Sequence, residues 1–199
     1  MVELIRKSKT EAELRIQGEV VPSDFQIPQG LQRLTVTIDS SGGDALEGLR
    51  LYSLIKNSDA KEKAAEVTVA MSAASLAAVA CDEIRMSSGA LLMIHGISDF
   101  TKINRKNAGE ILSEIDSLDD TYAQCYAQNS KTPKETFFEM MLRDTFLNAD
   151  ELRGLGFPVV KTDTGKVHLP NLNIETGQRK TAEAPEKALT LELMKRYGF

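Results

Sequence analysis

The chain is poor in several residue types and patterns that would otherwise define it. It has only two cysteines in 199 residues, Cys81 and Cys125, too few for a disulfide framework. One lies in a stretch of small residues that reads as helix and the other in an amphipathic stretch. Both are therefore expected as reduced core thiols of an intracellular, cytoplasmic protein. Long apolar runs are also missing. The longest, residues 67 to 81, is interrupted by Thr68, Ser72 and Ser75 and is too short to cross a bilayer. The opening "MVELIRKSKTEAELRI" contains no apolar signal region, so no membrane association is expected. Positive charge is not in excess either: 24 Lys and Arg against 29 Asp and Glu leave a net charge of −5. Nothing in that balance attracts nucleic acid or an anionic membrane. Histidine is limited to His95 and His168, and any histidine-dependent chemistry must use one of them.

What is present is an ordinary globular composition, 42% hydrophobic and 27% charged, in a strand–helix alternation. Residues 13–20 read as an early strand and "LQRLTVTI" (31–38) as a half-buried one. "DSSGG" reads as a turn, followed by a helix in which Ala45, Leu46, Leu49, Tyr52 and Ile55 recur at helical spacing. "KNSDAKEKAAE" reads as a solvated connection and "EVTVA" as a short strand leading into the helix "SAASLAAVAC". "EIRM" and "ALLMIH" read as the next strands. Residues 108–127 form the clearest amphipathic helix, with Ile111, Ile115, Leu118, Tyr122 and Cys125 on one stripe. "TPKE" (132–135) has the form of a capping box with Thr132 as N-cap, and "NADE" (148–151) repeats it. "FPVV" closes the series as a strand. Such alternation predicts an α/β fold with a mostly parallel sheet and packed helices over residues 1–160. Residues 161–199 change texture into a hairpin-like segment, a polar stretch and a possible terminal helix, and read as a separate C-terminal extension.

Chemistry in parallel α/β folds collects at the carboxyl ends of strands, and three features fall there. His95 ends the strand "LLMIH". In "SSGGD", two glycines after a strand allow close backbone approach and can aim N–H groups at an anion. No Gly-Lys-Ser/Thr follows them, which excludes a phosphate loop. Ser72 and Ser75 lie at the start of a helix, where backbone N–H groups and the helix dipole favour negative charge. A serine there serves equally well as a cap, and each feature alone also fits a plain structural role.

Taken in order, "TIDSSGGDALEGLRLYSLI", "SAASLAAVACDEI", "LLMIHG" and "LRDTFLNADELRGLGF" resemble the signature segments of the Clp protease proteolytic subunit family. The likeness is greatest to the head maturation proteases of phages and prophages, and it covers roughly residues 13–160. The resemblance implies a ClpP/crotonase-like fold with a protruding handle helix at 108–127 and a Ser-His-Asp triad that hydrolyses peptide bonds. It also implies assembly into ring-like homo-oligomers, with protein or peptide substrates and phage capsid or scaffold proteins among the possible partners. Carried over, His95 is the base, Asp144 of "RDTF" the acid, and Gly43 one oxyanion-hole N–H donor. No metal or organic cofactor is implied. The nucleophile is read as Ser72, with Ser75 as the alternative. Counting back from Asp82-Glu83-Ile84 selects Ser72, with Ala73 as second oxyanion donor. The letters "AAS" and the spacing from the strand "EVTVA" select Ser75, with Leu76 as donor. Met71 stands where the family's pattern has glycine, and "SSGG" lacks the proline of the usual S-P-G-G.

Two alternatives belong to other classes. One is a catalytically silent ClpP-like subunit with a structural or assembly role, favoured by the irregular segment before Ser72. The other is a crotonase-type acyl-CoA enzyme, which uses paired backbone N–H groups but leaves His95 and Asp144 without a task.

Overall fold

The computed structural model describes residues 1–98 and 104–162. His168, the hairpin-like segment and the expected terminal helix lie outside the described residues. Strand β1 (Val2–Arg6), which the sequence pattern does not single out, pairs antiparallel with β2 (Glu11–Val20). Next come β3 (Arg33–Gly43), helix α1 (Ala45–Lys56), β4 (Glu62–Met71), the short helix α2 (Ala73–Val79) and β5 (Glu83–Ile94). The long helix α3 (Ala108–Gln128), α4 (Lys134–Met141), β6 (Thr145–Leu147), α5 (Ala149–Gly154) and β7 (Val159–Lys161) complete the order. The sheet runs β1-β2-β3-β4-β5-β6, with β7 also paired to β5. β2 to β5 and β7 join by parallel pairings, while β1 and β6 are antiparallel. The mostly parallel α/β architecture expected from the sequence is the one found.

Period-two burial builds this sheet. In β3, Leu34, Val36, Ile38 and Ser40 are buried and the residues between them are not, as a half-buried strand requires. α2 is different: all seven of its residues are buried. A helix of small residues suits that position, because it lies close against β3 and β4 on one side and α1 on the other. The C-terminal half of α3 is tied to both of these helices. Tyr122 Oη donates to Ala45 O at 2.8 Å, and Tyr126 Oη lies 2.6 Å from Ser75 Oγ. Tyr126 then passes the contact through Phe137 to Phe157, at centroid separations of 5.6 and 5.8 Å.

Several local expectations need correction. "DSSGG" is not a separate turn, since β3 runs through to Gly43 and pairs with Val20. The supposed solvated connection already contains the first half of β4, with Ala64 and Ala65 buried. "EIRM" and "ALLMIH" are one strand interrupted by a bulge: Met86 pairs with Val67, and pairing resumes at Leu91 with Val69. Leu46, at an apolar helical position, is 65% exposed. The N-cap of α4 is Pro133 rather than Thr132, because the Thr132 hydroxyl donates instead to Leu155 O at 2.8 Å. The Asn148 box does form. Asn148 accepts from Asp150 N and Glu151 N, and Glu151 accepts from Asn148 N. β7 continues to Lys161, and Thr162 N donates to Met86 O, so among the described residues the sheet extends past residue 160.

Candidate active site

β3, β4 and β5 are adjacent and parallel, so Gly42–Gly43, Ser72 and His95 emerge side by side at one edge of the sheet. β4 ends at Met71 and α2 starts at Ala73, leaving Ser72 alone to make the turn. It does so with φ 53° and ψ −128°, a left-handed φ unusual for a residue with a side chain. Such backbone costs about 1–3 kcal/mol. It is held by the bonds Ser72 N→Met93 O at 2.8 Å and Ser75 N→Ser72 O at 2.9 Å. This geometry explains why the spacing after "EVTVA" favoured Ser75: a strand-to-helix junction normally needs more than one residue. Here a single strained serine suffices.

The Ser72 hydroxyl projects toward His95, and Oγ lies 2.7 Å from His95 Nε2. Ser75 is directed elsewhere. It is fully buried, and its Oγ donates to Ser72 O at 2.6 Å or shares a proton with Tyr126 Oη. Leu76, the donor paired with the Ser75 alternative, is a fully buried core residue of α2. Ala73 is the first residue of α2, at the end where helix N–H groups have no intrahelical acceptor.

The glycines of "SSGGD" are a steric necessity. A Cβ on Gly42 would stand 2.5 Å from Ser72 Cβ and 2.8 Å from Met71 O. On Gly43 it would stand 2.2 Å from Val20 O. β3 therefore passes directly behind the serine turn. Ser40 braces it by donating to Gly18 O and accepting from Gly42 N.

Asp144 takes a less direct position. The β5–β6 ladder ends with Ile94 paired to Thr145, and His95 and Asp144 are the next residues beyond that pair. Yet Asp144 is exposed, has φ 48°, and its carboxylate makes no hydrogen bond or ion pair among the described residues. It does not pair with neighbouring Arg143 either. His95 Nδ1 has no hydrogen-bond partner among the described residues.

One carboxylate near His95 was missed in the sequence. Asp119 of α3 is buried, and its Oδ1 accepts from Ile97 N at 2.7 Å. Burial pushes its carboxyl above the usual range, the Ile97 N–H opposes that, Asp116 adds to the rise, and the charge of His95 opposes it. A signal was available: Asp119 falls four residues after Ile115 and three before Tyr122, an acid on the apolar side of its helix.

Ser72 and His95 open onto a cleft of about 680 Å³. Val21, Leu46, Ile97, Ile115 and Leu118 give it apolar walls, and Glu19, Asp44 and Glu114 line it beside His95. Among the described residues there is no group of His, Cys, Asp and Glu that could hold a metal, and no helix is long and apolar enough to cross a membrane.

A mostly parallel α/β fold with a serine and a histidine hydrogen-bonded at the strand ends is the arrangement of a serine hydrolase. Residues 26–159 match the family model described as Clp protease, and the chain belongs to that family, which makes it a ClpP-like serine-type peptidase in broad class. Among solved structures it is similar to a point mutant of ClpP1 from Listeria monocytogenes. That match has 16% identity and a TM-score of 0.60, and covers 77% of this chain and 93% of the other. This likeness carries the fold. No curated protein sequence matches the chain.

Proposed function

We propose that the chain is a serine endopeptidase in which Ser72 attacks the peptide carbonyl and His95 takes the hydroxyl proton. The observation that carries this reading is the 2.7 Å Ser72 Oγ–His95 Nε2 contact at the floor of an open cleft. With the Nε2 lone pair facing the hydroxyl, the proton leaves as the C–O bond forms, and the imidazolium later returns it to the leaving amine. The N–H groups of Gly43 and Ala73 are the proposed donors to the tetrahedral oxyanion, fixed in place before the charge develops. Asp144 is the proposed acid of the triad. Its place one residue beyond the last β5–β6 pair, Ile94 with Thr145, just as His95 is one residue beyond Ile94, supports that role. The finer assignment, a phage-type head maturation protease acting on capsid or scaffold protein, rests on the four signature segments. It is tested by cleavage of a co-expressed capsid precursor.

Ser72→Ala is expected to lower peptide hydrolysis by a factor on the order of 10⁴ and to abolish fluorophosphonate labelling. A second reading, a silent structural or assembly subunit, is favoured by the lack of contact between Asp144 and His95. Native protein that neither labels nor cleaves would establish it.

A further inference from the structure

The mechanism above leaves the buried carboxylate of Asp119 without a task. We propose that Asp119 is a positioning residue for His95: it clamps the segment that carries the imidazole and sets a negative charge behind it. This inference rests on the reading of Ser72 and His95 as a nucleophile and its base.

After β5 the chain leaves the sheet as Gly96-Ile97-Ser98, and two bonds hold that exit. Gly96 N donates to Met141 O at 2.9 Å, and Ile97 N donates to Asp119 Oδ1 at 2.7 Å. The second is short, as charge-assisted bonds are. Asp119 Oδ2 and Oδ1 lie 3.5 and 3.7 Å from where a Gly96 Cβ would stand. No side chain at Gly96 therefore separates the carboxylate from the backbone next to His95. α3 is a rigid base for this clamp, since Tyr122 and Tyr126 fasten it to α1 and α2.

An amide would accept the Ile97 N–H equally well and would avoid burying a charge, which is costly without a counter-charge. A carboxylate here is useful against a cation, and Asp119 interacts electrostatically with His95, whose imidazolium forms when Ser72 gives up its proton. The other ionisable groups on the described helices around it do not take that role. Asp116, a turn back on α3, is a like charge. Helix α2 (AASLAAV) carries no ionisable side chain. On α4, Lys134 pairs with Asp120, while Glu135 and Glu139 are exposed. Asp119 thus acts through His95 from the helix side, whereas Asp144 approaches from the β6 side.

The test compares Asp119→Asn and Asp119→Ala with the native protein. Rates are expressed per site titrated with fluorophosphonate, so that only folded, reactive molecules are counted. Asp119→Asn keeps an acceptor for Ile97 N but removes the charge. Its kcat is expected to fall roughly 10- to 100-fold with little change in KM and an unchanged Tm. The acid limb of its kcat/KM–pH profile should move to lower pH, a shift that a purely structural contact would not produce. Asp119→Ala also loses the clamp and is expected to fall further. Asp119→Asn with native kcat per site and a native acid limb would overturn the proposal, as would Asp119→Ala with native kcat per site. Native protein that neither labels nor hydrolyses peptide would remove the Ser72–His95 reading and this inference together. Labelled, active native protein beside unaltered variants would remove this inference alone.

Discussion

Ser72 combines a left-handed backbone with a side chain, and Gly42 is what makes room for it. The proximity of β3 to the serine turn means that Gly42→Ala must displace either Ser72 Cβ or the Met71 carbonyl, both within 3 Å of the added carbon. Neither is the free end of a flexible side chain. The expected outcome is loss of fluorophosphonate labelling together with a lowered Tm, read by scanning calorimetry. Ser75 gives the contrasting case. Its hydroxyl is the partner of Tyr126 Oη, and Tyr126 is only 1% exposed. Ser75→Ala should preserve catalysis while destabilising the fold by about 1–3 kcal/mol, the usual cost of leaving a buried polar group unpaired. Denaturant unfolding beside an activity assay separates the two effects. An inactive but stable Ser75→Ala protein would reverse the assignment of roles between the two serines. The cysteines have a different character. Burial pushes the Cys81 thiol up to about 12 and the Cys125 thiol up to about 11. Both should resist thiol reagents in the native protein and react fully in denaturant.

At the scale of elements, α3 links the hydrophobic core to the cleft. Its C-terminal half is held by Tyr122 and Tyr126. Its N-terminal half contributes Glu114, Ile115 and Leu118 to the cleft wall while Leu112 is 57% exposed. A further connection of α3 to the core passes through Phe137, fully buried between Tyr126 and Phe157. Phe137→Ala should therefore cost about 3–5 kcal/mol in unfolding free energy without touching Ser72 or His95, as measured by urea denaturation. The two expected capping boxes show how local sequence can be overruled. "NADE" forms its box, because Asn148 has no competing partner. "TPKE" does not, because Leu155 O from a distant part of the chain takes the Thr132 hydroxyl.

At the scale of the whole molecule, membership of the Clp protease family raises the question of assembly. We expect a ring-like homo-oligomer, and sedimentation at micromolar concentration should show a species much heavier than the 21.9 kDa chain. A monomer that still cleaves peptide would remove the ring reading but leave the serine chemistry intact. The cleft also carries a charge bias. Among the described residues, Glu19, Asp44 and Glu114 line it and no Lys or Arg does. Peptides with basic residues beside an apolar cleavage position should accordingly be cut faster than acidic ones, and added salt should narrow the difference through screening.

Much of this protein was legible in the one-dimensional pattern. Period-two burial in β3, the helical stripe of α3 and the order of strands and helices are local consequences of where apolar residues fall, and they specify a mostly parallel α/β sheet. His95 was identifiable because histidine is scarce and this one ends a strand. Other features needed the third dimension. Spacing from the strand "EVTVA" argues against the choice of Ser72, because one residue bent into a left-handed turn replaces the several that a junction ordinarily uses. The strand content of "DSSGG" was hidden because its pairing to Val20 is supplied by β2, more than twenty residues earlier in the chain. Asp119 was hidden because its burial and its bond to Ile97 arise only when α3 lies beside the end of β5. Local propensity and periodicity act over a few residues. The partners that decide which serine faces the histidine, and which carboxylate stands behind it, come from segments brought together only by folding.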